Sequence, residues 1–381
     1  MDKMNQWIEI DGQAVRENLR AIRTRLKPDV ILMAVIKENA YGHGMVETAQ
    51  LLTREGVDHF AVTWLHEALT LREAGIEGTI LLLAPVMNET EIASAIRQQI
   101  TLCAASERDA RLICETAERL QSPASVHIKI ETGLSRFGLQ QPVELEAAAA
   151  QFLRCSYVTV EGAFTHMADA SDAAFTAQQY RKFQAALEIL RKAGINPPCL
   201  HCANSGVFLK YPEMHLNMVR LGTLLCGQYP AGNFPHPFPL KDPYHYKTRI
   251  VAVRTLPAGS FLGYKRTWRL KKTARIAVIP VGYSDGLALQ VQNRPQGFVD
   301  LCKKALKLFL GYFGMARFQQ QVRINGQLYP IRGKVFMQMA LIELPEAADI
   351  APETEVEVFI SKTLAGADVK RVIVENTPAE A

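Results

Sequence analysis

Val30-Ile-Leu-Met-Ala-Val-Ile-Lys-Glu-Asn-Ala-Tyr-Gly-His-Gly44 opens with seven apolar residues and passes directly into a lysine and a glycine-flanked turn. A run this short, ended by turn residues, reads as a strand buried on both faces. Lys37 then stands at its carboxyl end. Working outward, further apolar runs read as strands at 59–63, 80–83, 100–103, 126–130, 158–164, 199–203 and 218–221. Amphipathic stretches between them, at 66–74, 89–98, 107–120, 143–153 and 172–193, read as helices. Eight strands alternating with helices over this length predict an α/β fold built on a (β/α)8 barrel of the TIM type, whose functional residues gather at the carboxyl ends of the strands.

The alternation stops at Ala231-Gly-Asn-Phe-Pro-His-Pro-Phe-Pro239, where the prolines can continue neither helix nor central strand. This divides the chain into a barrel domain at 1–234 and a mostly β C-terminal domain at 235–381. The later runs are of β type, at 246–253, 274–281 and 322–329, and the last carries Asn325-Gly326, suited to a two-residue hairpin turn. Residues 298–313 instead repeat with helical period, with apolar residues at 298, 301, 302, 305, 308 and 309 and lysines at 303, 304 and 307. Packing of that helix against its own domain is the expectation, with contact to a membrane surface as the alternative.

Hydrophobic residues at 48% and charged residues at 21% fit an ordinary globular chain. A net charge of +5, with the basic residues scattered, gives nucleic-acid binding little support and favours a small anionic ligand. The first seven residues have no leader-like apolar core, and no run reaches membrane-spanning length, so a cytoplasmic location without membrane insertion is expected. Seven widely spaced cysteines argue against a disulfide framework. Cys199-Leu-His-Cys202 lacks a second pair at ligand spacing, so no metal is expected.

Spacing alone makes Lys37 a surface lysine closing a strand, although a buried amine there would form an imine with an aldehyde. The stretch 127–138 carries Arg136 to the same rim, where its planar fork suits a carboxylate or a phenolate. His166, and His201 with Ser205, also end strands with polar groups. Arg220 lies in the eighth strand, and the amides after Gly222 suit a phosphate. Tyr264 and Tyr283 occupy glycine-flanked turns in the second half.

Taken in order, from Trp7-Ile-Glu-Ile-Asp11 to Gly333-Lys-Val-Phe-Met337, these segments resemble the alanine racemase family of fold-type III pyridoxal phosphate enzymes. The resemblance implies amino-acid racemisation, L- and D-alanine being interconverted by two-base proton transfer on pyridoxal 5'-phosphate. It implies a homodimer in which each second domain completes its partner's site. Residue by residue, Lys37 matches the Schiff-base lysine and the base for the D enantiomer, and Tyr264 the base for the L enantiomer. Tyr41, Ser205, Gly222 and Thr223 match phosphate contacts. Arg220 matches the donor to the pyridine nitrogen, and His166 the link from that arginine to the catalytic tyrosine. Arg136 and Met337 match substrate-side residues, Met337 being supplied with Tyr264 by the other subunit. Lys129 matches a lysine carbamylated in some members. The implied role is D-alanine supply for peptidoglycan precursors.

Departures from the family pattern cluster around substrate access. The usual Cys-Met-Asp triplet is Phe336-Met337-Gln338, the proline after the pyridine arginine is Leu221, and no tyrosine follows Tyr329. Residues 298–318 are an insertion relative to shorter members. A racemase preferring serine or a larger amino acid is therefore the alternative. A non-catalytic pyridoxal phosphate-binding protein would need neither a second domain nor Tyr264, and a decarboxylase would want a carboxylate where Arg220 stands.

Overall fold

The computed structural model describes residues 5–289, 295, 297–312 and 320–375. The chain divides into two compact units, Gly12–Pro243 and the described residues of Met1–Asp11 with Tyr244–Ala381.

In the Gly12–Pro243 unit, helices alternate with β2 (Ile31–Val35), β3 (His59–Val62), β4 (Thr79–Leu82), β5 (Leu102–Ala104), β6 (Ala124–Lys129), β7 (Val158–Phe164), β8 (Cys199–His201) and β9 (Met218–Leu221). Two four-stranded parallel sheets form, in the orders β4-β3-β2-β9 and β5-β6-β7-β8. Parallel bridges pair Leu81 of β4 with Thr101, and Ala203 with Val219 of β9. The strands are apolar on both faces because helices cover one side and other strand side chains the other: Met33, Ala61 and Leu81 are fully buried in one cluster. The helices carry their own start signals. Ser106 accepts from the amide of Asp109, whose carboxylate accepts from the amide of Ala105, and so begins the helix Glu107–Leu120.

The second unit is β-rich. Its nine-stranded sheet includes β1 (Gln6–Asp11), which pairs antiparallel with β10 (Tyr244–Arg249) and parallel with β19 (Lys370–Val374). Two of the expected boundaries therefore move. The amino-terminal strand, placed with residues 1–234 by chain order, buries Ile8 and Ile10 in the other unit's sheet. Residues 235–243 stay with the first unit, where the Asn18 side chain both accepts from the amide of Lys241 and donates to its carbonyl. The expected single strand at 246–253 is two, β10 and β11 (Ala252–Leu256). Asn325 and Gly326 do form the hairpin turn, with φ of 49° and 78° between paired Ile324 and Gln327.

The helix Phe298–Tyr312 is present, but the side chains of Phe298 to Phe309, Asp300 apart, are exposed instead of packed on its own unit as expected. Residues 313–318 of the insertion lie outside the described residues.

The shared strand core makes a direct prediction. Leu81→Ala removes a fully buried side chain, so the urea midpoint should fall by the equivalent of about 2–5 kcal/mol, whereas an unchanged midpoint would contradict this packing.

Candidate active site

Lys37 follows β2 and begins a turn with unusual backbone geometry. Glu38, Asn39, Ala40 and Tyr41 all adopt left-handed helical angles, with φ of 52–55°. None is glycine, and each L residue in that region costs roughly 1–2 kcal/mol. The surroundings impose it. Buried Glu67, in the helix Leu65–Glu73, accepts from the amide of Glu38 at 2.6 Å with one oxygen and from those of Thr63 and Trp64 at 2.9 Å with the other. Carboxylate acceptors of this kind are the stronger class of hydrogen bond. The Asn39 side chain accepts from the amide of Met45 at 2.8 Å, and Gly42 closes the turn with φ of 92°.

The turn carries Tyr41 over Gly222. A Cβ on Gly222 would fall 2.5 Å from the Tyr41 hydroxyl, so only glycine permits the approach. Beside it, the hydroxyls of Ser205 and Thr223 lie 3.4 Å apart. Asn204 fixes the local backbone by accepting from the amide of Val207 and donating to the carbonyl of Met167. Three hydroxyls and a bare glycine thus form a cradle for a compact oxyanion.

Arg220 is buried and held on both arms. It donates to Nδ1 of His201 at 2.8 Å, to the His201 carbonyl at 3.1 Å and to the Thr165 carbonyl at 2.7 Å. Because the guanidinium only donates, His201 Nδ1 is the acceptor, and His201 Nε2 donates to Nδ1 of His127 at 2.8 Å. Burial, followed by the Arg220 charge, holds His201 and His166 well below the usual histidine range and His127 at about 3. All three are therefore neutral imidazoles at neutral pH. Burial also lowers Arg220 itself to about 10.

Burial, and then the charge of Arg136, lowers the Lys37 amine below its ordinary range. Lys129, fully buried, is lowered to about 7 by burial and then by Arg220. Arg136 itself is exposed on a loop whose amides at Gly133 and Arg136 donate to Glu131.

One cavity of about 290 Å³ is lined by Lys37, Tyr41, Arg136, His166, Ser205, Arg220, Gly222 and Thr223, with Phe164, Trp64 and Leu83 among its apolar walls. Tyr264 and Met337 belong to the other unit. Tyr264 is two-thirds exposed, begins the turn Tyr264–Arg266, and meets the edge of Phe336 with ring centroids 5.2 Å apart. Met337 is also exposed, its carbonyl accepting from the amide and hydroxyl of Ser284. Sequence reading missed Glu67 and the support that His127 and His201 give to Arg220. For Glu67 the available signal was an acid three residues after Trp64, at the start of a helix.

Two outcomes follow from this geometry. Glu67→Gln replaces one of the two acceptor oxygens by an NH2 group that faces backbone N–H, so stability should fall by about 1–3 kcal/mol, read from the urea midpoint; no loss would mean that the turn holds itself. For Lys129, the unfolded chain binds a proton between about pH 7 and 10.5 that the native chain does not, so its burial destabilises increasingly as pH falls through that window. Lys129→Met should therefore be more stable than the parent by a margin that grows from pH 10 to pH 7 and then levels off, and a pH-independent margin would refute the buried neutral amine.

Comparison with known proteins finds relatives over nearly the whole chain. Residues 10–230 match the model of the alanine racemase N-terminal domain and residues 244–375 that of the alanine racemase C-terminal domain. Alanine racemase from Symbiobacterium thermophilum is 34% identical over 92% of this chain and 86% of its own length. Alanine racemase from Methanococcus maripaludis is 33% identical over 93% and 88%. The solved alanine racemase from Clostridium difficile 630 superposes with a TM-score of 0.84 at 28% identity, covering 98% of this chain and 97% of that one. With both halves matched and the strand-end residues gathered in one cavity, the chain belongs to the alanine racemase family.

Proposed function

We propose that this protein is a pyridoxal 5'-phosphate-dependent alanine racemase, an isomerase interconverting L- and D-alanine by two-base proton transfer. The observation that carries the reading is the single cavity in which Lys37, Arg220 and the Tyr41–Ser205–Thr223 cradle converge. The cofactor fits these groups: the space a Cβ on Gly222 would fill is kept open beside three hydroxyls, and a half-buried amine and a buried guanidinium line the same cavity.

In this reading Tyr41, Ser205, Gly222 and Thr223 would hold the phosphate, Arg220 would donate to the ring nitrogen, and Lys37 would bind the aldehyde carbon until the substrate's amine displaces it and frees the lysine. When bound, the cofactor supplies the electron sink that makes an amino acid's α-proton removable. Arg220 limits that sink, because a guanidinium near 10 keeps its proton against a far weaker base. Lys37, its amine lowered by burial, takes or returns the α-proton on one face. Tyr264 of a second copy does so on the other, in a homodimer with shared sites. Its exposed ring supports such a role. Arg136 would receive the substrate carboxylate, Met337 would border the substrate, and His166 would link Arg220 to the incoming tyrosine. We also read the eight parallel strands as one closed (β/α)8 barrel, which the bridges Leu81↔Thr101 and Ala203↔Val219 support. A cytoplasmic D-alanine supply for peptidoglycan precursors fits the family.

Phe336, edge-on to Tyr264, gives a reason to compare alanine with serine and larger amino acids. Purified protein with pyridoxal phosphate should convert either alanine enantiomer to an equal mixture. Lys37→Ala should lower the rate by on the order of 10³ or more, measured by chiral chromatography. A wild-type protein that inverts no amino acid would overturn the assignment.

A further inference from the structure

We infer that the helix Phe298–Tyr312 is a docking element that lays this enzyme onto an anionic lipid surface. Its side chains are exposed from Phe298 to Phe309, Asp300 alone being half-buried. The large apolar ones are strongly so: Phe298 is 79% exposed, Val299 67%, Leu306 55%, Leu308 76% and Phe309 59%. Six such side chains, counting Leu301, on one short helix are an unusual concentration for a protein surface.

The arrangement of charge says what covers them. At about 100° per residue, Asp300, Lys303, Lys304 and Lys307 fall within one arc of about 100°, and the six apolar side chains spread over roughly 180° of the remainder. The stripe by which a helix packs against a single protein partner is narrower, nearer 100°. A broad apolar face opposite a narrow lysine-rich one is the form taken by helices lying in a membrane interface, with the apolar face among the acyl chains and lysines at its margins reaching the headgroups. Lys303 and Lys304 stand at the two borders of the polar arc. Asp300 pairs with Lys304 at 3.0 Å, and Lys303 and Lys307 are exposed. The helix therefore carries net positive charge that complements anionic headgroups. Fifteen residues span only about 22 Å, short of a membrane crossing, and no helix among the described residues is long and apolar enough for one. The contact is lateral. The inference does not depend on which amino acid the enzyme uses.

The experiment is co-sedimentation of the full-length, cofactor-loaded protein with vesicles of phosphatidylcholine alone or mixed equally with phosphatidylglycerol, at low and high salt. Expected are pelleting with the anionic vesicles and a decrease at high salt. Lys303→Gln with Lys307→Gln should weaken the anionic partition by about fivefold per lysine. Leu308→Ser with Phe309→Ser should weaken it by about tenfold or more. Circular dichroism and thermal midpoint, measured beside the wild type, show that the variants are folded. Absence of wild-type pelleting, or equal pelleting of wild type and both double variants, overturns the proposal. So does loss of self-association in Leu308→Ser/Phe309→Ser without any change in vesicle binding, since it would make a second copy the occupant.

Discussion

The Glu67 carboxylate, with three backbone amides on its two oxygens, is the constraint on which the site depends. It joins the end of β3 to the segment that follows β2 and holds Glu38 to Tyr41 in a left-handed turn that none of those residues favours. A right-handed continuation would carry Tyr41 away from Gly222. The cost of the turn is local, whereas its benefit appears across the cavity: the backbone that carries Lys37 and Tyr41 is held by one carboxylate and one asparagine. Preorganisation of this kind leaves little reorganisation for the moment of reaction.

A second constraint is the buried charge of Arg220. A lone guanidinium in such a place would be costly, and here it is spread over two carbonyls and a histidine, each acting as an acceptor. No carboxylate is among these partners, and the neighbouring histidines remain neutral. The positive charge is thus not cancelled locally, and the same field helps to hold down the Lys129 amine. An uncompensated cation in the floor of a cavity is suited to a ligand that brings its own negative charge or a basic ring nitrogen.

Much of this was legible in the sequence. The parallel strands announce themselves as short apolar runs because both faces are buried, and β7, β9 and the helix Glu107–Leu120 fall on the expected residues. Lys37, Tyr41, Arg136, His166, Ser205, Arg220, Gly222 and Thr223 were each weak when taken singly; the family resemblance selected them and the fold brings them into one cavity. Other features leave no local trace. The left-handed turn contains no glycine between 38 and 41, so it is imposed from outside by Glu67. The His127–His201 bond joins positions 74 residues apart. The strand β1 alternates normally but pairs with β10 and β19, far along the chain, and position in sequence assigned it to the wrong unit. Amphipathic period fixed the helix at 298 but carried no information about whether anything covers it.

The central claim is reversible proton exchange at the α-carbon of alanine. Its most direct test is to incubate the cofactor-loaded protein with L-alanine in deuterium oxide, following both the enantiomer ratio and deuterium at the α-carbon. The account predicts D-alanine rising to parity with L-alanine, with α-deuterium entering the product. Retention of the L form with its α-proton intact would contradict it.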